Sequence, residues 1–482
     1  MDRNMHLKKN RTALSAVIQI LVPLQINKVP FFSVARHDVR GRVEAPIFRY
    51  KLQHLLIEMA LACFVLAAMP LPAAENDPEI LGLRVYANDD EYQPPIVTKP
   101  GIVTIEFDVV TPQPPDLRVI FVHASRDWVL ESRILLTDTY HSTSRTLDYS
   151  RAPLGVQRYT FRYKNSFPDQ NGIITFPYSG NYIFSIVDHQ DESHVLAQGR
   201  FILAEQLVQT SLKVENKYYP ETSNPWNQRH AISVTVNAAG LETGIGDLFV
   251  NHVNITRVDV IQNWKLRQPY HIDVNHSDPD VFVDNFYLPE KCFRIRSAMP
   301  GNEYRRLDIG SPRLYPNYQT VRPLSGYDQS RMQWQGGMDA NGAAKLRPFT
   351  GTNSDYLDVV FRLRVITPPQ KQIFVVGAFN NWFPRAEDEL IYNKDAKEYS
   401  VTISMRRGVY DYQYVTGEWN EATGELDDAD WYELEGNDWR TIERYTALVY
   451  YHDERFGGLD RVIGIATEKS PGGIDETKEE IK

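Results

Sequence analysis

From Ile80 onward, short apolar or alternating runs return every 8 to 15 residues between clusters of Pro, Gly, Asn and Asp. Alternation sends successive side chains of a strand to opposite faces, and turn residues at that spacing leave no room for long helices. Runs of this kind span 102–110, 117–122, 158–163, 182–187 and 195–203. The rhythm predicts an all-β chain of tandem β-sandwich domains. Its 27 Tyr, 21 Phe, 8 Trp and 29 Pro favour sheets and turns in the same way.

With 482 residues, the chain is long enough for about three such domains. The first sandwich is expected over 78–205, with a turn at Ser179-Gly180-Asn181 and a polar hairpin tip from Asp188 to Glu192. A second β domain is expected over 206–309, with strands at 231–237, 248–253, 256–261 and 271–274. Residues 310–355 then break the rhythm, being rich in Pro, Gly, Gln, Asn and Arg. They read as an irregular linker or as a contact arm, whose Tyr315, Tyr318, Tyr327 and Trp334 would be the partner-binding residues. The last domain, 356–466, holds seven candidate strands and fits an immunoglobulin-like sandwich of the early-set type. On its strand 409–415, Tyr410, Tyr412 and Tyr414 share one face while Asp411 and Gln413 take the other. The stretch 467–482 turns to Lys, Glu, Gly and Pro and is expected to be a disordered tail.

Residues 59–74 form an apolar run that ends in small residues before Glu75, the pattern of a cleaved export signal. It is shorter than the ~20 residues of a membrane-spanning helix, and Pro70 and Pro72 close it. The 58 residues upstream, with ten Lys and Arg against four Asp and Glu, are too long for a signal's basic start. They read as a doubtful or disordered extension. Of two cysteines, Cys63 falls in the signal, so the mature chain keeps Cys292 alone and packing must supply its stability.

A net charge of −10 and the lack of a dense basic patch exclude nucleic acid as a partner. The usual nucleophile, metal and phosphate-loop signatures are missing, so no catalytic, cofactor or metal residue is assigned, no small-molecule substrate is expected, and the chain reads as a non-enzyme. Two polar clusters, Asp188 to His194 and Asp427 to Glu435, carry hard ligands, but solvation of a hairpin tip and of an acidic loop accounts for both.

The segment Phe374 to Trp382, with Gly377-Ala378-Phe379-Asn380-Asn381-Trp382 at its end, resembles the strand-to-corner opening of glycogen-binding domains. That resemblance implies Trp382 and Trp419 as sugar-stacking rings, although Gln413 replaces the Lys common in that family. A wider resemblance runs in order along the chain, through His123 with Asp127-Trp128, Tyr178-Ser179-Gly180-Asn181-Tyr182, Gly199-Arg200-Phe201 and Gln262-Asn263. It continues through Gly301 to Asp308, Gly377 to Asn380, Leu434 to Trp439, Tyr445-Thr446, Val449 to Tyr451 and Asp460-Arg461. Over roughly 78–466 the chain resembles the type IX secretion system plug proteins. The resemblance implies a periplasmic protein, peripheral to the outer membrane, that binds and closes the inner mouth of a large outer-membrane β-barrel translocon. The alternative reading is an extracytoplasmic glucan-binding protein.

Overall fold

The computed structural model describes residues 77–131, 139–217, 229–240, 250–275, 278–323, 326–332, 339–346, 350–455 and 458–472. The expected extension 1–58, the signal at 59–74 and Trp334 lie outside the described residues. Among the described residues six sheets pair into three sandwiches. The chain is all-β, as its rhythm predicts.

In the first sandwich, one sheet runs in the order Glu79–Ala87, Val103–Val110, Phe161–Phe167, Tyr149–Arg151. It faces a second sheet ordered Ile96–Thr98, Asp191–Ala204, Gly180–Asp188, Leu117–Ala124. Val103, Ile105, Phe107 and Val109 alternate into the core, where Phe121 meets Phe167, Phe176 and Phe201 edge-on at 4.9, 5.2 and 6.0 Å. The intervening Glu106 and Asp108 are buried too, at 8% and 2% exposure. Their face of the sheet is therefore covered by another part of the chain.

The second sandwich joins distant segments. One sheet holds Val281–Asp284, Glu290–Ala298, Arg229–Asn237 and Gln209–Lys217. The other holds Tyr270–Asp273, Arg257–Gln262, Arg444–Asp453 and Leu459–Lys469. The last two strands, which the sequence places in the 356–466 domain, thus pair elsewhere. Arg257–Gln262 lies beside Arg444–Asp453 with Val258 opposite Val449, and Tyr445, Ala447, Val449, Tyr451 and Ile463 fill a core whose other buried residues come from 208–298. The reason is physical. Val258 and Val260 need a covered face and a paired edge, and a partner nearly two hundred residues later leaves no local mark. Of the expected strand 248–253, the described residues 250–253 form a loop and the start of a short 3-10 turn, His252–Asn254, capped by the Asn251 side chain accepting from Val253 N at 3.0 Å. The pairing of Leu459–Lys469 continues to Lys469 opposite Arg444, past the expected start of the tail at 467.

The third sandwich is built on Tyr356–Arg364 and Glu398–Arg406 in one sheet and on Val409–Asn420 with Gln372–Gly377 and Arg305–Asp308 in the other. The 310–355 stretch is not a linker here. Its two-residue strands Thr320–Val321 and Asp328–Gln329 pair with Tyr356–Arg364, and Ala344–Lys345 pairs with Val409–Asn420. Tyr315, Val321, Ala344 and Leu346 are buried in the sandwich core. Strands so short give no periodic signal, which explains the misreading.

Candidate functional site

Buried charged and polar side chains converge on the junctions between sandwiches. Between the first and second, Arg126 is 6% exposed and its Nε donates to Asp259 Oδ1 at 2.8 Å. Its backbone N donates to Asp460 at 3.0 Å. Burial works against the Arg126 charge, but the bond to Asp259, the charge of that carboxylate and the neighbouring Tyr450 and Asp127 together outweigh it and hold the guanidinium above its ordinary pKa. Beside it the Tyr450 hydroxyl donates to Asn181 Oδ1 at 2.8 Å, while Asn181 Nδ2 donates to the carbonyls of Ser125 and Arg126. Gly180, at φ 140°, is required there because a Cβ would strike the His123 ring and the Asp460 carbonyl.

Between the first and third sandwiches, Glu106 and Asp108 meet a set of guanidiniums. Arg406 Nη1 donates to Glu106 at 3.0 Å and Arg162 forks Asp108 at 2.8 and 3.0 Å. Burial pushes the Glu106 carboxyl up, yet Arg84, Arg406 and Arg162 together bring it below the usual carboxylate range. Glu91 accepts from Leu346 N across the same seam.

Between the second and third sandwiches lies a shared acid cluster. Burial, followed by the neighbouring Asp339 carboxylate, pushes Glu443 and Glu303 up, and burial pulls Lys265 down. Asp411, which accepts from Ala340 N and Gly342 N at 2.6 and 3.0 Å, is pushed up to about 7 by burial and then by Asp339.

All three sandwiches meet at the corner that follows Gln372–Gly377. Asn380 Oδ1 accepts from Gly377 N at 2.9 Å and its Nδ2 donates to Asp388 at 2.8 Å, which fixes the turn. Trp382 is 4% exposed, donates from Nε1 to the Gly342 carbonyl at 2.6 Å, and packs its ring 4.5 Å from Tyr304. A cleft of about 360 Å3 opens beside this corner, between Ile80 to Val85, Leu196 to Arg200 and Phe379 to Arg385. A second recess of about 290 Å3 shares Arg200, Arg267, Trp382 and Phe383 with it.

The residues singled out from the sequence divide accordingly. Tyr315 is a core residue at 4% exposure, so it is not a contact residue. Tyr318 is half exposed and its hydroxyl donates to the Gly155 carbonyl of the first sandwich. Tyr327 is half-buried under the Arg364 guanidinium, 3.8 Å from its ring centre. Trp382 offers no exposed stacking face, and Trp419 is half-buried and tilted over Phe374 at 6.0 Å, so the pair does not build a sugar platform. Gln413 is buried and donates to the Trp431 carbonyl at 3.2 Å. Of the two polar clusters, Asp188 and Asp191 close their own turns, and His189 and Glu192 meet Arg118. Among the described residues no group of three His, Cys, Asp or Glu is placed to hold a metal. Sequence reasoning missed Arg267, Asp411 as a buried acid and the junction role of Arg126; each is a charged side chain in a strand or loop, which one sequence does not separate from a solvated one.

The comparisons bear on this arrangement through the first sandwich. Residues 80–205 match the type 9 secretion system plug protein 1st domain. The match covers about a quarter of the chain and spans the whole first sandwich, including Arg126, Gly180, Asn181 and Arg200. That stretch is thus similar to a plug-protein first domain, and two of the junctions are built on it. A hypothetical protein from Parabacteroides merdae, known from a crystal structure, superposes with a TM-score of 0.65 at 20% identity over 81% of this chain and 97% of its own. That likeness is one of fold. No curated protein matches the chain.

Proposed function

We propose that this protein is a non-catalytic plug of type IX secretion, exported to the periplasm, that binds and closes the periplasmic mouth of the outer-membrane translocon barrel. The plug-protein first domain at 80–205 is the observation that carries this reading. A plug needs stiffness and breadth and no reacting group. Three sandwiches locked by buried ion pairs such as Arg126 with Asp259 and Arg406 with Glu106 suit that need, because interiors so packed do not deform continuously. A seal that must release calls for a moderate, partly polar interface. Tyr318 is the proposed contact residue, half exposed at the seam of the first and third sandwiches, with Leu314 exposed on the same segment.

Affinity capture of the tagged protein from its own bacterium in mild detergent tests the reading. Recovery of one very large outer-membrane barrel, reduced by Tyr318→Ala, is expected. Recovery of glycan-processing proteins in its place would overturn it.

A further inference from the structure

Five consecutive residues of one strand, Leu196 to Arg200, line the three-sandwich cleft. Successive side chains of a strand leave on opposite faces, so a cavity that touches all five runs along the strand's edge. Among the described residues that edge is unpaired. Gly180–Asp188 occupies one side of Asp191–Ala204, and on the other side Ile96–Thr98 reaches only Ile202 to Ala204. Across the cleft stands Glu79–Ala87, which among the described residues pairs as a strand only with Val103–Val110 and whose Leu83 carbonyl accepts from Asn381 Nδ2 at 2.8 Å. An open edge presents a row of backbone donors and acceptors ready to pair with an added strand.

The charge at the end of this edge is uneven. Arg126 and Arg385 nearby are held by Asp259 and Asp388. Arg200 and Arg267 share the carboxylate of Glu425, which bonds Arg267 Nη1 at 3.2 Å and is itself half exposed, and Asp127 lines the same recess without an ion pair to either among the described residues. Arg200 lies over the Trp128 ring at 5.0 Å, and its buried Nε bonds no group among the described residues. Arg267 lies over the Phe383 ring at 3.3 Å. Burial, with the Arg200 charge adding to it, pushes the Arg267 pKa down to about 9, the mark of a cation short of counter-charge. A planar guanidinium pair backed by aromatic rings suits carboxylates.

We propose that this cleft binds an extended acidic peptide segment of a partner protein, which adds a strand along Leu196 to Arg200 and sets a carboxylate against Arg200 and Arg267. The inference does not depend on the plug reading, since it concerns a binding event of the isolated chain.

Fluorescence anisotropy with the full chain tests it, using a labelled Val-Asp-Val-Glu-Val-Asp peptide, its Val-Asn-Val-Gln-Val-Asn counterpart, and an acidic version N-methylated at alternate backbone positions. The acidic peptide is expected to bind, more weakly as salt rises. The uncharged and N-methylated peptides are expected to bind at least tenfold more weakly, as is the acidic peptide to R200Q/R267Q. R200K/R267K, which keeps the charge, guards against misfolding of the glutamine variant and should retain part of the affinity. Failure of the acidic peptide to bind, or equal binding of the uncharged or N-methylated peptide, would overturn the proposal. Ready displacement by inorganic phosphate or citrate would overturn the peptide reading in favour of a small-anion site.

Discussion

The Tyr356 hydroxyl donates to Asp108 Oδ2 at 2.9 Å across the seam between the first and third sandwiches, joining residues 248 positions apart in the chain. Gly82 stands over this bond at φ 56°, and a Cβ there would strike the Tyr356 hydroxyl. Tyr356→Phe removes one of the bonds to a buried carboxylate that keeps its Arg162 fork, so a loss of about 1–2 kcal/mol is expected in urea unfolding. Gly82→Ala adds backbone strain and displaces the same hydroxyl, and should cost at least as much. Neutral behaviour of both would mean that the seam does not carry stability.

Arg126 is the corresponding anchor between the first and second sandwiches. Arg126→Ala leaves Asp259 buried at 2% exposure with one fewer cation, and a cost of about 3–5 kcal/mol is expected. The paired replacement Arg126→Met with Asp259→Leu takes both charges away and should recover most of that loss. Unfolding curves of the three proteins check this directly.

Asp411 gives stability a pH dependence of definite sign. Its pKa is raised from 3.8 to about 7, so the folded state holds a proton that the unfolded chain has released. The stability tied to that proton is full below 3.8 and is lost as pH rises through about 7. Asp411→Asn keeps a neutral acceptor for Ala340 N and Gly342 N at every pH. Its stability relative to the unaltered protein should therefore rise between about pH 5 and about pH 8, by on the order of 2 kcal/mol. A constant difference across that range would show that Asp411 does not hold a proton.

Trp382 separates packing from sugar binding. Its ring is buried against Tyr304 and its Nε1 satisfies the Gly342 carbonyl. Trp382→Ala should cost about 3–5 kcal/mol through the cavity it leaves, and neither protein should be retarded on a glycogen gel. Sugar-dependent retardation lost on Trp382→Ala without loss of stability would restore the glucan reading.

The strands were readable from the sequence because most alternate cleanly, as in Val103–Val110 and Arg229–Asn237. Partner choice was not. Val258 pairs with Val449, and Tyr450 bonds Asn181, through contacts between segments whose local patterns fit several sheets equally well. Val409–Asn420 shows a second limit. Tyr410, Tyr412 and Tyr414 face the sandwich core as their alternation implies, but Asp411 and Gln413 on the opposite face are also buried, because that face packs at the junction. Alternation in a strand signals one solvent face, and burial of that face by a neighbouring sandwich adds nothing to the pattern. The cleft was illegible for the same reason, since Arg200 and Arg267 meet only in the assembled fold.

The proposed closure of the translocon is tested by the ionic conductance of the purified barrel in a planar bilayer while this protein is added to the periplasmic side. Conductance is expected to fall as the protein saturates the barrel, and Tyr318→Ala to need a higher concentration for the same fall. Unchanged conductance with the protein demonstrably bound would contradict it.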